Sequence, residues 1–385
     1  MDFELTDDQQ ELQAVVRDVA QAECPPSLVR SVAEDGARGE VDALWKTYVG
    51  LDWPSLTVPE DDGGMGFGEV ELAITVEELG RVADPTPFLV TTSQYVPTIR
   101  HCGDADQRRA LLNAVCSGGT GAVALEPDGL RAEPDGDGWI LTGTAHHVMD
   151  GDRADEVALA ARISQTPSDS GVGVFVVPAG HLAATRLPTF DATLHLADVV
   201  VDGVRVGAER AMVGSTVGDG LERARQVAGT AMAATMVGAS QRILDLALEH
   251  VRSRHQFGVP IGSFQAVKHM LVDIYISIER ARALCHFAAL TLAEDDDRRT
   301  MAASMAKAAA GDCQRITVQH GVQVFGGLGF TWENDLQLFV RRAKAGELLL
   351  GSTAEHRARV ARAAREGSAR ASADATTGSN EGATR

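Results

Sequence analysis

The chain has 385 residues, of which 44% are hydrophobic and 23% are charged, as is typical of a protein with a sizeable buried core. Its formal net charge of -19 argues against nucleic acid or an anionic membrane as a partner, because both require a basic surface. The acidic amino terminus is unlike an export signal, and no segment reaches the roughly 20 apolar residues of a membrane span. Five cysteines without a Cys-x-x-Cys pattern predict neither disulfides nor a zinc site, so we expect a cytoplasmic protein.

Residues 1–118 are predicted to form an N-terminal helical domain. Thr6 followed by Gln9 has the spacing of a capping box, and apolar residues then recur at helical spacing. A second helix is predicted over 69–82, because its apolar residues follow the same period and Gly80 precedes a proline-rich break. This part of the chain is expected to be mainly helical.

Residues 119–213 are predicted to form a middle β domain, because the helical period is lost there. Short apolar runs alternate with turn sequences such as Asp-Gly-Asp-Gly at 135–138. Five strands are expected, at 122–125, 139–142, 157–160, 172–177 and 199–201. We predict that they form a small antiparallel barrel or sandwich.

Residues 214–366 are predicted to form a C-terminal helix bundle, with its longest helices at 217–255, 264–293 and 298–325. Small residues form a ridge on the first of these helices, which favours close helix packing over ligand contact: Ala224, Ala228, Ala231, Thr235 and Gly238. The tail at 367–385 lacks aromatic residues and is expected to be disordered. Helices, then strands, then helices define an α+β fold of three units.

Four short segments carry a family resemblance. They are Pro-Glu-Asp-Asp-Gly-Gly-Met-Gly at 59–66, Arg-His-Gln-Phe-Gly at 254–258, Gly-Ser-Phe-Gln at 262–265 and Gln-Val-Phe-Gly-Gly-Leu-Gly at 323–329. In this order, and over nearly the whole chain, they resemble the acyl-CoA dehydrogenase family of flavoproteins. The resemblance implies the same three-part fold, FAD as cofactor, an acyl-CoA substrate and an electron-transfer flavoprotein as electron acceptor.

The resemblance also implies which residues contact FAD. In the family these motifs contact a flavin bound largely by a neighbouring subunit. Arg254 and Gln265 would bond its phosphates, and Phe257 would pack beside it. Gln323, Gly326 and Gly327 would let the backbone approach, since a glycine has no Cβ to hold a ligand away. The alternatives are that the glycine pair only caps a helix and that Arg254 forms a surface ion pair.

The family's catalytic base is missing at both of its known positions. Removal of the α proton of a thioester requires an acid-base group, which the family places in a Glu-Gly-Thr-Ser-like turn. By resemblance that glutamate corresponds to Leu350, and an alternative base position falls at Ala228. An arginine that contacts acyl-CoA in the family would fall at Gly229. The sequence therefore identifies no catalytic residue.

The cradle for the flavin ring is also altered. A family segment like Lys-x-Trp-Ile-Thr-Asn corresponds to Ala-His-His-Val-Met-Asp at 145–150. Adjacent strand residues point to opposite faces, so His146 and His147 are not expected to share a metal ion. Three other acids are expected to be solvated or helix-capping charges: Glu222, Glu333 and Glu347.

Three functional hypotheses follow. The leading one is a subunit of a hetero-oligomeric acyl-CoA dehydrogenase that completes the FAD site, while a paralogous chain supplies the glutamate. The second is a homo-oligomeric enzyme with an atypical base such as Glu222 or Glu333. The third is a silent binding or scaffold protein. The particular residues in these motifs resemble those of family members from actinobacterial steroid and lipid catabolism.

Overall fold

The computed structural model describes residues 4–164 and 171–365. The tail predicted to be disordered lies outside these ranges. The first helix begins with a capping box, because the Thr6 hydroxyl accepts a hydrogen bond from the Gln9 amide while the Gln9 side chain accepts one from the Thr6 amide. The N-terminal helices are α1 (Asp7–Glu23), α2 (Pro26–Asp35), α3 (Arg38–Gly50), α4 (Glu69–Arg81), α5 (Phe88–Val90), α6 (Val96–Cys102) and α7 (Ala105–Cys116). Both helices predicted in this region are confirmed.

The middle of the chain forms one eight-stranded sheet, with β6, β7, β3, β2, β4, β5 and β8 adjacent in that order and β1 beside β4. The strands are β1 (Gly121–Ala124), β2 (Leu130–Asp135), β3 (Gly138–Met149), β4 (Glu156–Ile163), β5 (Val172–Pro178), β6 (Ala183–Arg186), β7 (Leu196–Gly207) and β8 (Ala211–Met212). All five predicted strands exist. Strands β2, β6 and β8 were missed because they are short or alternate weakly.

The predicted barrel is wrong, and so is the purely antiparallel pairing. Within the described residues β6 and β8 are the edges of an open sheet and do not pair with each other. Strands β1 and β2 both run parallel to β4. The chain enters as β1, forms the β2–β3 hairpin and returns as β4, and this crossover makes the pairing parallel. Alternation along one strand carries no information about which neighbour it pairs with.

Three long helices, a short β hairpin and two shorter helices follow. Helices α8 (Val217–Ser253), α9 (Gln265–Ala293) and α10 (Arg299–Phe325) confirm the predicted bounds to within two residues. A hairpin of β9 (His255–Gln256) and β10 (Val259–Pro260) joins α8 to α9. Helix α11 (Leu336–Leu348) and a last helix, α12 (353–365), complete the described chain. Elements change class near residues 118 and 214, while the division into separate domains remains a prediction.

Helix α8 packs directly on α4 through glycines. A Cβ on Gly238 would lie 1.9 Å from the Glu77 carbonyl oxygen, and one on Gly80 would lie 2.3 Å from the Thr235 carbonyl oxygen. The small-residue ridge thus serves helix packing, as its composition predicts. This contact fixes the N-terminal helices against the bundle.

None of the helices in the described ranges combines the length and the apolar character needed to cross a membrane.

Candidate functional site

A cavity of about 1130 Å³ lies between the sheet and the helix bundle. Its walls come from β1, β3, α8, α10, the turn after α11, and α12. Leu350 is part of this wall, whereas Ala228 is fully buried and does not line it. Gly229 does line the cavity, and a Cβ built on it meets no atom within 4 Å. Of the two expected base positions, one therefore faces the cavity, and it is occupied by leucine.

The turn that carries Leu350 is held by buried polar groups. Leu350 has a left-handed backbone with φ of 56°, a conformation that costs a non-glycine residue about 1–2 kcal/mol. The His356 Nε2 donates to the Leu350 carbonyl oxygen at 2.9 Å. The Lys307 Nζ donates to the carbonyl oxygens of Gly351 at 2.9 Å and Glu347 at 3.3 Å. These hydrogen bonds fix the backbone of the turn, although the Leu350 side chain cannot accept a proton.

The buried Lys307 is expected to make the stability of the folded protein depend on pH. Its side chain is 1% exposed, and burial lowers the pKa of its ammonium group from 10.5 to about 8. Between these values the unfolded chain binds more protons than the folded chain, so this group's contribution to stability rises with pH and levels off above the unfolded value. Relative to Lys307→Met, the wild type should gain about 3 kcal/mol between pH 8 and 10.5.

Urea denaturation of both proteins across this pH range measures the difference. Exposed Lys46 provides the control, since Lys46→Met should leave the pH dependence of the midpoint unchanged. Parallel curves for wild type and Lys307→Met would show that the Lys307 ammonium group is not destabilised by burial.

Two of the three other acids considered from the sequence, Glu333 and Glu347, lie outside the cavity wall. Glu333 is exposed. Partial burial acts to raise the pKa of the Glu347 carboxyl, but its bonds with Lys344 at 2.8 Å and with Thr353 outweigh this and lower it. Glu222 is exposed, as expected of a solvated charge, and it also lies in the cavity wall, with one oxygen 3.7 Å from Arg225. Among these acids only Glu222 is positioned near a ligand space.

The two histidines do not alternate across the sheet as predicted. The register between β3 and β7 shifts between Ala145 and Val148, and His147 has a left-handed φ of 57°. At this bulge both His146 and His147 line the same cavity, with ring centroids 6.3 Å apart, so simple strand alternation does not hold here. His146 Nδ1 lies 3.0 Å from Asp198. In the described ranges no group of three or more side chains is arranged to hold a metal.

The motif of residues 254–258 lies outside this cavity, at the surface. Arg254 follows the last residue of α8, and Phe257 lies at the tip of the β9–β10 hairpin with φ of 56°. The Phe257 side chain is 93% exposed, and its ring meets the Phe264 ring edge to face, with centroids 6.0 Å apart. An apolar ring this exposed on a strained turn is poorly accommodated in an isolated chain.

The second motif lies at the same end of the bundle. The His250 ring, in the last turn of α8, stacks on Phe325 at the end of α10, with centroids 4.3 Å apart. Gly326 then caps α10 with φ of 61°. A Cβ on Gly326 or on Gly327 would meet no atom within 4 Å. Open space therefore lies outside both glycines.

The polar side chains of these motifs are exposed and available. Arg254, Gln265 and Gln323 make no side-chain hydrogen bond or ion pair with any other residue that the structure describes. The surface ion pair considered for Arg254 is therefore absent from those residues. The structure thus brings the two motifs to one surface, with free donors beside open backbone.

Four cavity residues were not singled out from the sequence: Gln226 on α8, and His356, Arg359 and Arg362 on α12. The last three recur every three residues, so they share one side of a helix. This spacing was the signal in the sequence from which the three residues could have been found. Only the packing of the fold shows that this side of α12 and Gln226 line the same cavity.

The sequence matches family models for the N-terminal domain of acyl-CoA dehydrogenase over residues 6–119 and for its C-terminal domain over residues 219–365. The chain therefore belongs to the acyl-CoA dehydrogenase family, whose members are FAD-dependent oxidoreductases acting on CH–CH bonds.

Three relatives illustrate the likeness. Acyl-CoA dehydrogenase IpdE2 of Mycolicibacterium smegmatis is 29% identical, over 92% of this chain and 98% of its own. A chain of the ChsE4–ChsE5 complex from Mycobacterium tuberculosis is 28% identical, with a TM-score of 0.85 and coverage of 95% and 99%. A variant of the Tcur3481–Tcur3483 steroid ACAD is 29% identical, with a TM-score of 0.83 and coverage of 94% and 99%.

Proposed function

We propose that this chain is a subunit of a hetero-oligomeric acyl-CoA dehydrogenase, in which it completes the FAD site while a paralogous chain supplies the catalytic glutamate. One contrast carries the proposal. The dinucleotide motifs form an open, unpaired surface, whereas the base position in the chain's own cavity is Leu350. The names of two relatives with solved structures, ChsE4–ChsE5 and Tcur3481–Tcur3483, each join two proteins. Such a pairing fits an active site shared between two different chains.

The residues of the motif surface suit the adenosine diphosphate half of FAD. The Arg254 guanidinium can pair with a pyrophosphate oxygen, and Gln265 and Gln323 can donate amide hydrogens. Gly326 and Gly327 leave room for the ligand to reach the backbone, and Phe257 offers an apolar surface. When bound, FAD supplies the acceptor for the hydride lost from the acyl thioester.

At the family's base position this chain's cavity offers no proton acceptor for α,β-dehydrogenation. Leu350 cannot ionise, and His147 and Met149 occupy the segment that holds the flavin ring in the family. The partner would therefore contribute the glutamate and the ring cradle, bind the acyl-CoA substrate and pass electrons to an electron-transfer flavoprotein. This chain would contribute affinity for FAD and orientation of the shared site.

The test is purification of this chain alone and after co-expression with a paralogue encoded beside it. We expect flavin-free or aggregated protein alone, and a yellow complex of defined mass with the partner, by visible spectroscopy and native mass spectrometry. A yellow homo-oligomer that an acyl-CoA bleaches would contradict the proposal.

One observation favours a second candidate, a homo-oligomeric enzyme with an atypical base. Glu222 lies in the cavity wall, and its carboxylate accepts a bond from the Gln226 amide at 3.3 Å. In that case Glu222→Gln would abolish bleaching by acyl-CoA. The exposed Glu333 gives the control, because Glu333→Gln should not alter it.

A further inference from the structure

One histidine that lies outside both dinucleotide motifs connects them. The His250 ring stacks on Phe325, with centroids 4.3 Å apart and the ring planes at 18°. Phe325 directly precedes Gly326 and Gly327, which have open space outside their backbone. Arg254 follows His250 by one helical turn, and its backbone amide donates to the His250 carbonyl oxygen at 2.8 Å. The stack therefore links the residue before the glycine pair to the helical turn that leads into Arg254.

The edge of the His250 ring is available to a further group. Neither ring nitrogen forms a hydrogen bond with any residue in 4–164 or 171–365. The side chain is partly exposed, and neither nitrogen is a fully buried atom that lacks a partner. Stacking covers one face of the ring and leaves its edge open. Both nitrogens therefore remain in contact with solvent, where a ligand can reach them.

Two features of the surroundings set the charge of this ring. Partial burial and the Arg254 charge lower the pKa of His250, so the imidazole is mainly neutral at neutral pH. The charged and titratable residues at the adjoining ends of α8, the hairpin, α9 and α10 are Glu249, Arg252, Arg254, His255, Lys268, His269 and His320. Of these described residues, Arg254 alone shifts the pKa of His250. An anion that pairs with Arg254 would offset this repulsion and stabilise the protonated ring.

We propose that His250 couples FAD binding to proton uptake: when Arg254 pairs with the pyrophosphate, the imidazole takes up a proton from solvent and donates a second charged hydrogen bond to that group. This inference rests on the proposed function. Protonation preserves the stack, because a cation is attracted to the face of an aromatic ring. The bound anion raises the pKa of His250 above its value in the free protein, so FAD binds more tightly below neutral pH than above it. The site thus loses affinity for FAD as the pH rises.

The test is fluorescence titration of FAD into the flavin-stripped complex at about pH 6 and about pH 8. A nearby opposite charge moves a pKa by about one unit or more, and one unit is worth up to about tenfold in affinity. We therefore expect the wild type to bind FAD at least about threefold more tightly at the lower pH. His250→Phe keeps a stacked ring but cannot titrate, so it should lose this dependence and bind like the wild type at the higher pH. His181→Phe is the matched control, because His181 is an exposed histidine in the turn after β5, outside the helix bundle.

Calorimetry measures the proton directly. Titration of FAD in buffers of different ionisation enthalpy should show that the wild type takes up a fraction of a proton and that His250→Phe takes up less. Equal proton uptake and coinciding pH profiles in these two proteins would overturn the inference. Such a result would leave the proposed function intact if Arg254→Ala still weakened FAD binding. A wild-type complex without affinity for FAD would overturn both.

Discussion

Arg254→Ala is expected to release most of the FAD from the assembled enzyme without changing the mass of the protein assembly. The guanidinium is exposed and has no ion-pair partner among the residues described, so its charge is available for a pyrophosphate. Arg254 follows His250 by four residues, and the His250 ring stacks on Phe325, which directly precedes the glycine pair. A hydrogen bond between charged groups contributes about 1.5–3 kcal/mol, which corresponds to a roughly 10- to 100-fold loss of FAD affinity. Fluorescence titration of the flavin-stripped complex measures this affinity directly.

Arg252→Ala is the matched control. Arg252 is an exposed arginine two positions earlier, in the last turn of α8, and it is not part of the motif. The variant should bind FAD like the wild type. Arg254→Lys should recover only part of the affinity, because an ammonium group cannot form a two-pronged bond with phosphate. Unchanged FAD binding by Arg254→Ala would remove this residue from the cofactor site.

Gly238→Ala is expected to destabilise the fold by at least about 3 kcal/mol, because no side-chain movement can relieve the clash. The added Cβ would lie 1.9 Å from the Glu77 carbonyl oxygen and 3.0 Å from the Arg81 amide, and both belong to the backbone of α4. Helices α4 and α8 would have to separate. The midpoint of urea denaturation, followed by circular dichroism, reports the change.

Gly229→Ala on the same helix should have the opposite effect. Its Cβ would meet open space, and replacing a helical glycine by alanine stabilises by roughly 0.5–1 kcal/mol. Comparison of the two variants distinguishes the effect of close helix packing from the general effect of replacing a helical glycine by alanine. Similar midpoints for the two variants would show that α4 and α8 do not touch at Gly238.

The long helices could be predicted from sequence because their cause is local. The 3.6-residue period over 217–255 and the Thr6–Gln9 cap depend only on residues close together in the chain, and both are present in the structure. The sheet was predicted less well. The parallel pairing of β1 with β4 depends on which strands the chain brings together, and no short-range pattern reports that.

The amino-acid sequence by itself determined the family, the presence of both dinucleotide motifs and the leucine at the base position, because each is a matter of residue identity and order. The tertiary structure alone decided what surrounds them. It placed His146 and His147 at a bulge that lines one cavity, and it brought Gln226 and His356 to the wall of that cavity although 129 intervening residues separate them. Side chains distant in sequence meet only where the packing of whole helices and strands places them, and that packing is a property of the complete fold.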